Sequence, residues 1–300
     1  MCSGVKFVKT AQSKFINFDT AVFMNLTPEH IESHGGFKNY RNEKLKLFKA
    51  TKNIHVVNTD DKNSKYFLDI PANKKIKFSL KDVEKLGSEN GISFEFESQR
   101  FNLNLFGEFN IYNALAAICV ARAYSINLEV CKKALEKAKG ISGRMEIIAK
   151  EPFRVIVDYA HTPEQLEAVY KTFKEPFGVA QGKNLICVLG SCGGGRDKWK
   201  RPILGQLAEK YCKEIIITNE DPYDESPTEI INQVAKTAGP KAKKISDRKE
   251  AINSALKLAK PGEVVIITGK GSEPWMCVEN GRKIKWDDRQ IARDFLNKTK

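Results

Sequence analysis

From residue 154 onward, short runs of nearly unbroken apolar residues alternate with amphipathic stretches. That alternation limits the possible folds more than any other feature of the chain. Residues 154–157, 185–189, 214–218 and 263–268 read as strands. Between the first two, Thr162-Pro163-Glu164-Gln165 supplies a cap, a first-turn proline and a capping-box glutamine, and Leu166, Val169, Tyr170 and Phe173 then line one face. Ser226-Pro227-Thr228-Glu229 repeats the signal before Ile230, Ile231 and Val234. Residues 201–212 and 248–258 also carry helical spacing. Strands that are apolar on both faces, joined by helices, belong to a parallel sheet covered on both sides. The expected fold class is therefore α/β, with a doubly wound domain in the second half.

In such sheets, ligands gather beyond the carboxyl ends of the strands. The residues with chemical potential fall there. Asp158-Tyr159-Ala160-His161 follows the first strand and Gly190 to Arg196 the second; Asn219-Glu220-Asp221 follows the third and Gly269 to Glu273 the fourth. The run Gly190-Ser191-Cys192-Gly193-Gly194-Gly195-Arg196-Asp197 lets backbone amides approach an anion, with Arg196 as a cation beside it. A flexible loop is the plainer reading, but three consecutive glycines at a strand end favour the anion site. Its spacing is not that of a dinucleotide-binding fingerprint. Gly269-Lys270-Gly271-Ser272-Glu273 suits either a phosphate grip or a turn. No Gly-x-x-x-x-Gly-Lys-Ser/Thr stretch occurs in the 300 residues.

The first half has a different texture. Residues 18–24 read as a buried strand, and Thr27 with Pro28 as the cap and first residue of a helix. Residues 37–50 have helical spacing. Short strands are expected at 54–57, 66–68 and 76–80, then an alternating pair at 92–96 and 101–105. Helices are expected again at 110–124 and 128–139. His30 and His34 are four residues apart, so on one helix they would share a face beside Glu29, which suggests a metal role as readily as a structural one. Lys44 lies in a lysine-rich stretch and reads by pattern as solvated. Gly140-Ile141-Ser142-Gly143 reads as a hinge.

Composition narrows the partners. Lys plus Arg number 50 and Asp plus Glu 37, a net charge of +13. That balance suits anionic ligands such as nucleotides. No finger spacing, arginine-rich arm or basic heptad region supports nucleic acid, so none is expected as a partner. No apolar run is long enough to span a membrane, and none is expected to bind one. The seven cysteines are odd in number, widely spaced and mostly in apolar segments. With no signal peptide, a reducing cytoplasm is the expected setting.

Several segments, taken in order, resemble the Mur ligases. They are the stretch from Phe18 to His30, His34-Gly35, Tyr40 through Phe48, and Gly107-Glu108-Phe109-Asn110-Ile111-Tyr112-Asn113-Ala114. Gly143-Arg144-Met145-Glu146, Asp158-Tyr159-Ala160-His161-Thr162-Pro163 and Gly193 through Pro202 follow, then Gly269 through Glu273 and Asp287-Asp288-Arg289. The set is most similar to the UDP-N-acetylmuramoyl-tripeptide synthetases, which add the third residue of the peptidoglycan stem.

The resemblance implies that residues 1–139 are the C-terminal portion of a central ATP-binding domain, and that 140–300 are a Rossmann-like C-terminal domain. It implies ATP and Mg2+ as cofactors, with a UDP-MurNAc-dipeptide and a diamino acid as substrates. ATP phosphorylates the dipeptide carboxylate, the amine attacks the acyl phosphate, and phosphate leaves. His30 resembles a magnesium-associated histidine. Lys44 matches a lysine that the family carbamylates, which would add a metal-holding anion. Asn110 and Asn113 resemble residues near adenine, and Arg144 and Asp158 positions facing ATP. Arg196, Glu220, Asp221, Gly269 and Glu273 match positions around the incoming amino acid.

Two departures qualify this. Members using meso-diaminopimelate carry Asp-Asn-Pro-Arg where this chain has Glu220-Asp221-Pro222-Tyr223, and Tyr223 offers no guanidinium fork for a distal carboxylate. Ser272 also stands where a histidine is usual. In addition, the sugar-binding front and the P-loop of the family have no counterpart in these residues. The expectation is a truncated ligase, inactive alone or served by a separate N-terminal portion. The competing readings are a noncatalytic amino-acid-binding module and another ligase of the superfamily, such as a folylpolyglutamate or cyanophycin synthetase.

Overall fold

β1 (Thr20–Phe23), β2 (Ile54–Asn58) and β3 (Lys74–Phe78) pair in parallel, in that order across a three-stranded sheet. The computed structural model describes residues 16–86, 91–174 and 184–298; the opening segment around Cys2 lies outside them. The chain divides into two compact units, Met1–Ala138 and Lys139–Lys300.

In the first unit β2 is buried along its whole length, as its apolar run demands. α1 (Ile31–His34) and α2 (Phe37–Ala50) lie between β1 and β2, and α3 (Ser64–Leu68) follows β2. β4 (Glu84–Leu86), β5 (Ile92–Phe96) and β6 (Gln99–Leu103) form an antiparallel sheet. α4 (Phe109–Ala123) sends Ile111, Leu115 and Ile118 into a core shared with Val56, Phe78, Phe94 and Phe101. α5 (Leu128–Glu136) is capped by Asn127, whose side chain accepts from the Glu129 amide. A second core joins Phe23, Leu26, Tyr40, Phe48 and Phe67.

Two expectations fail in this unit. No helix starts at Pro28, and Thr27 caps nothing. The chain instead turns through His30 in the left-handed region at φ 56°, and α1 begins only at Ile31. The segment expected as a strand around Tyr66-Phe67-Leu68 is helix α3. Its start is organised by Asp61, whose side chain accepts from the Asn63 amide while its carbonyl accepts from the Ser64 amide. One turn suffices to turn Phe67 inward, where it stacks on Phe23 with ring centres 3.8 Å apart and meets Phe48 edge-on. A three-residue aromatic run does not distinguish one helical turn from a strand.

The second unit is built on six strands. They are β7 (Glu146–Ala149), β8 (Arg154–Val157), β9 (Leu185–Leu189), β10 (Glu214–Ile217), β11 (Ala242–Lys244) and β12 (Val264–Ile267), in the order β11-β10-β9-β12-β8-β7. All pairings are parallel except that of β7, an edge strand. α6 (Pro163–Lys174), α7 (Lys200–Tyr211) and α8 (Pro227–Ala235) alternate with the strands, followed by α9 (Arg248–Leu258). A small hairpin, β13 (Trp275–Cys277) with β14 (Lys283–Lys285), precedes α10 (Asp288–Lys298). On one face of the sheet, Val155, Val157, Ile186, Val188, Ile216, Val265 and Ile267 pack against Ala251, Ile252, Ala255 and Leu256 of α9 and Ala292 of α10. The intervening residues Ile156, Cys187, Ile215 and Ile266 point the other way, because side chains alternate along a strand. The doubly wound α/β reading holds.

The expected reducing setting implies free thiols, and one buried pair departs from that. Cys187 of β9 and Cys212, at the end of α7, form a disulfide with Cα atoms 6.0 Å apart. Their separation of 25 residues hides the contact in sequence, but a strand and the helix returning from it bring the two ends together. Cys119, Cys131, Cys192 and Cys277 are free thiols.

Candidate functional site

The carboxyl ends of β8, β9, β10 and β12 lie side by side in the sheet, so the four loops that follow them share one rim. Side-chain bonds tie these loops to one another. Lys270, after β12, is buried and donates to both oxygens of Asp221, after β10, at 2.8 and 2.7 Å. It also reaches Glu273 Oε2 at 3.3 Å. Glu273 in turn accepts from the Tyr159 hydroxyl, after β8, at 2.7 Å. Burial works against charge on Lys270, yet Asp221 and then Glu273 hold its pKa above the usual lysine value. Burial likewise pushes Glu273 up, but the Tyr159 hydroxyl and Lys270 outweigh it and leave the carboxyl below its usual range. Lys270 therefore stays an ammonium, clamped between two carboxylates.

Glu220 sits deeper, 2% exposed. The Cys192 thiol donates to its Oε1 at 3.1 Å. Two glycines make room for it. A Cβ on Gly269 would fall 2.0 Å from Glu220 Oε2, and one on Gly190 would fall 2.8 Å from the Glu220 Cβ. Glycine at both strand ends is thus required by close approach. Burial, then the carboxylates of Glu220 and Asp221, push the Cys192 thiol far above its ordinary pKa, so it is a donor and not a thiolate. Glu220 has no cation within ion-pair distance among the described residues. A buried carboxylate of this kind calls for a positive ligand group.

Asp158 has a different role. Its Oδ2 accepts from the Met145 amide at 2.7 Å and its Oδ1 from the Ala160 amide at 2.6 Å. Burial raises its pKa despite those amides and the nearby Arg144 and His161. It pins the Gly143–Glu146 segment to the end of β8. The Arg144 guanidinium then lies over the Tyr159 ring, 4.0 Å from its centre. The Gly193 amide donates to the Asp221 carbonyl at 2.9 Å, which brings the glycine loop against β10. A Cβ on Gly194 would meet the Tyr223 ring at 2.5 Å. Burial and then the Cys277 thiol push the Tyr223 hydroxyl up to about 12, while Arg196 beside it pulls the other way.

The structure thus gathers Asp158, Arg196, Glu220, Asp221, Gly269 and Glu273 around one rim, with Arg144 next to it. Asp221 is committed to Lys270 and to the Cys277 amide, which donates to it at 2.8 Å. Tyr159, Cys192 and Cys277 take part without having been singled out from sequence. The signal for the first two was their adjacency to Asp158 and Gly193; for Cys277, in a later hairpin, there was none.

The first unit's candidates are placed separately. His30 caps α1 from outside the helix, so the shared helical face with His34 does not exist. Its buried Nε2 makes no hydrogen bond and lies 3.5 Å from Glu29 Oε1. His34 packs against Tyr40 at 5.4 Å, and the Lys44 ammonium stands 4.9 Å from the centre of the same Tyr40 ring. Asn110 donates to the Phe106 carbonyl at 2.7 Å, and Asn113 to Asn110 Oδ1 at 3.0 Å. No group of three or more His, Cys, Asp or Glu side chains able to hold a metal occurs among the described residues. Glu29 and His30 alone do not complete the oxygen-rich shell magnesium requires.

Comparison with known proteins converges on one family. The profile described as the Mur ligase middle domain matches residues 4–121, and that of the Mur ligase glutamate ligase domain matches residues 143–271. A UDP-N-acetylmuramoyl-L-alanyl-D-glutamate–2,6-diaminopimelate ligase of Halalkalibacterium halodurans is 36% identical over 297 residues, covering 93% of this chain and 60% of that protein. A UDP-N-acetylmuramyl-tripeptide synthetase of Roseiflexus sp. is 35% identical over 311 residues, with coverages of 93% and 60%. The chain thus spans about 60% of the length of the curated relatives it matches. Among solved structures, MurF ligase from Thermotoga maritima in complex with ADP superposes with a TM-score of 0.72 at 17% identity, covering 96% of this chain and 64% of that one. A folylpolyglutamate synthase from Mycobacterium tuberculosis superposes at 0.67 and 17%, with coverages of 86% and 62%. At such identities these two likenesses speak for the fold alone.

Proposed function

The chain belongs to the Mur ligase family, and from that premise we propose that it supplies the amino-acid-binding part of an ATP-dependent ligase of peptidoglycan synthesis. The substrates are a UDP-MurNAc-dipeptide, ATP and a diamino acid, the last joined as the third residue of the stem. One observation carries this reading: Glu220 is a buried carboxylate at the meeting point of four strand-end loops, with a thiol donor and, among the described residues, no cation within ion-pair distance.

Glu220 receives the distal ammonium of the diamino acid, which supplies the missing charge. Arg196 lies on the same rim and takes an amino-acid carboxylate. Lys270 stays protonated and is taken up by Asp221 and Glu273, so it ties the loops at fixed spacing without pairing directly with Glu220. The reacting amine is then held in place while its nitrogen bonds to the dipeptide carbonyl, the carbonyl–phosphate bond breaks and the amine loses a proton. Magnesium, when bound, neutralises phosphate charge. No step is assigned to the first unit's histidines, since they do not close a shell for it. Tyr223 has no fork for a second distal carboxylate, so a side chain ending in an ammonium alone suits the rim better than diaminopimelate.

The test is amide formation. The chain is fused behind the N-terminal portion of the Halalkalibacterium halodurans relative and supplied with ATP, magnesium, UDP-MurNAc-dipeptide and L-lysine, L-ornithine or meso-diaminopimelate in turn. ADP release and a tripeptide product are expected with at least one diamino acid, and Glu220→Gln should abolish the product. A folded fusion that makes no tripeptide with any of them refutes the reading.

A further inference from the structure

Under the rim loops lies a buried ion pair that the proposed reaction does not use. Arg248, the first residue of α9, and Asp288, the first of α10, are both buried. Arg248 Nε donates to Asp288 Oδ1 at 2.9 Å and Nη2 to Oδ2 at 2.7 Å, a bidentate pair. Trp286 Nε1 donates to the same Oδ1 at 2.8 Å.

The rest of the guanidinium is spent on two main-chain carbonyls. Nη2 donates to Thr268 at 2.6 Å and Nη1 to Asn219 at 3.2 Å. Those two residues lie just beyond the ends of β10 and β12, immediately before the site. Asn219 precedes Glu220 and Asp221, and Thr268 precedes Gly269 and Lys270. The two loops held by Arg248 from behind are therefore the same two that the Asp221–Lys270 pair joins in front. The positive charge of Arg248 also lies close enough to Glu220 and Asp221 to feel both.

We propose that Arg248, oriented by Asp288 and Trp286, is a positioning residue that sets the spacing of the two loops carrying Glu220, Asp221 and Lys270. A buried ion pair is a poor stabiliser compared with apolar residues of the same volume. Its use here is geometric. One planar group with a fixed fork aligns a carboxylate and two carbonyls at once. A lysine has the charge but presents its donors from a single point and cannot span the three acceptors. The coupling of the loops stands on the geometry alone; that the loops serve an amino-acid site rests on the reading above.

Amide hydrogen exchange on the full chain tests the coupling without any ligand. Arg248→Lys keeps the charge and loses the fork. Leu256→Ala, on the same helix α9 but in its apolar core, is the control for general loosening. The amides to follow are those of Glu273, which bonds to the Lys270 carbonyl, Cys277, which bonds to Asp221, and Gly193, which bonds to the Asp221 carbonyl. In Arg248→Lys these should exchange about tenfold faster than in Leu256→Ala when both are compared at equal global stability, the size of one lost charged hydrogen bond acting on local opening. Equal exchange in the two variants overturns the proposal. If Arg248→Lys does not fold, Asp288→Asn serves, and the same three amides must again lead the rest.

In the fusion assay, Arg248→Lys should raise KM for the diamino acid on the order of tenfold while KM for ATP stays unchanged. An equal rise in both overturns the link to the amino-acid site. Faster exchange without any tripeptide formation by the wild-type fusion would sink the ligase reading and leave the coupling in place.

Discussion

The two units bury polar groups in opposite ways. Among the described residues, the first unit's buried polar side chains are Thr51, His55, Asn58, Asn63, Ser79 and Ser93, none a carboxylate, ammonium or guanidinium. The second unit buries Asp158, Asp197, Lys200, Arg201, Glu220, Asp221, Arg248, Glu263, Lys270 and Asp288. Burying charge is costly and gives little stability in return. A protein that does so repeatedly in one half, and avoids it in the other, has placed its need for preorganised polarity in that half. The first unit is held by aromatic and aliphatic packing, the second by packing plus an ionic scaffold.

The largest test of this contrast removes one partner of a buried pair. Lys270→Met leaves Asp221 buried without its cation, and should cost the second unit about 3–5 kcal/mol. All three tryptophans, Trp199, Trp275 and Trp286, lie in that unit, so urea unfolding followed by their fluorescence reads it selectively. A loss under 1 kcal/mol, typical of exposed pairs, would break the comparison. Phe67→Leu in the first unit, where Phe67 stacks on Phe23 and abuts Phe48, should cost about 1–3 kcal/mol by circular dichroism and leave the tryptophan transition unmoved.

Acid sharpens the contrast next. In Glu146, Glu225, Glu263 and Glu273 burial pushes the carboxyl up, but hydrogen bonds outweigh it: the Gly143 amide for Glu146, and Lys198, Lys213 and Tyr159 for the others. Each ends below the ordinary glutamate value of 4.5. A carboxyl with a depressed folded pKa contributes stability that is present above its unfolded value and lost as pH falls through the folded one. In the first unit, Asp60 is lowered in the same sense, with Ser79 and Leu80 as its donors after burial's opposing push. From pH 5 downward, the tryptophan-monitored midpoint should therefore fall faster than the rest of the transition. Parallel loss would show that the ionic scaffold carries no more of the second unit's stability than packing does of the first's.

The smallest effect compares two helix caps. Asn127 caps α5 and Asp247 caps α9, accepting from the Glu129 and Glu250 amides. Either cap changed to alanine should cost about 1 kcal/mol.

Much of this was legible in the chain itself. The parallel sheet could be read because its strands are apolar on both faces and its helices carry capped starts, and the candidate rim could be located because glycines and charges collect at strand ends. Local patterns failed where the deciding contact was distant. Phe67 turns inward to meet Phe23, more than forty residues earlier, and no periodicity shows it. Arg248 and Asp288 pair across forty residues, and each alone looks like an ordinary exposed charge at a helix start. Cys187 and Cys212 are joined only once β9, α7 and β10 are in place. The Pro28 start failed for a local reason, because a cap residue and a proline mark where a helix is allowed, and the left-handed turn at His30 postpones it.

The second unit's sheet ends on each side in a way that discourages stacking of one molecule's strands onto another's. β7 runs against its neighbour with a register break between Ile147 and Ala149, and Glu146 is held there by Arg289 and Arg293. β11 at the opposite rim is three residues long and ends in Lys243 and Lys244. A kinked, charge-clamped border on one side and a short lysine-bearing one on the other leave no flat ribbon for a foreign strand to extend, so at high concentration this sheet is a poor seed for fibrous aggregation.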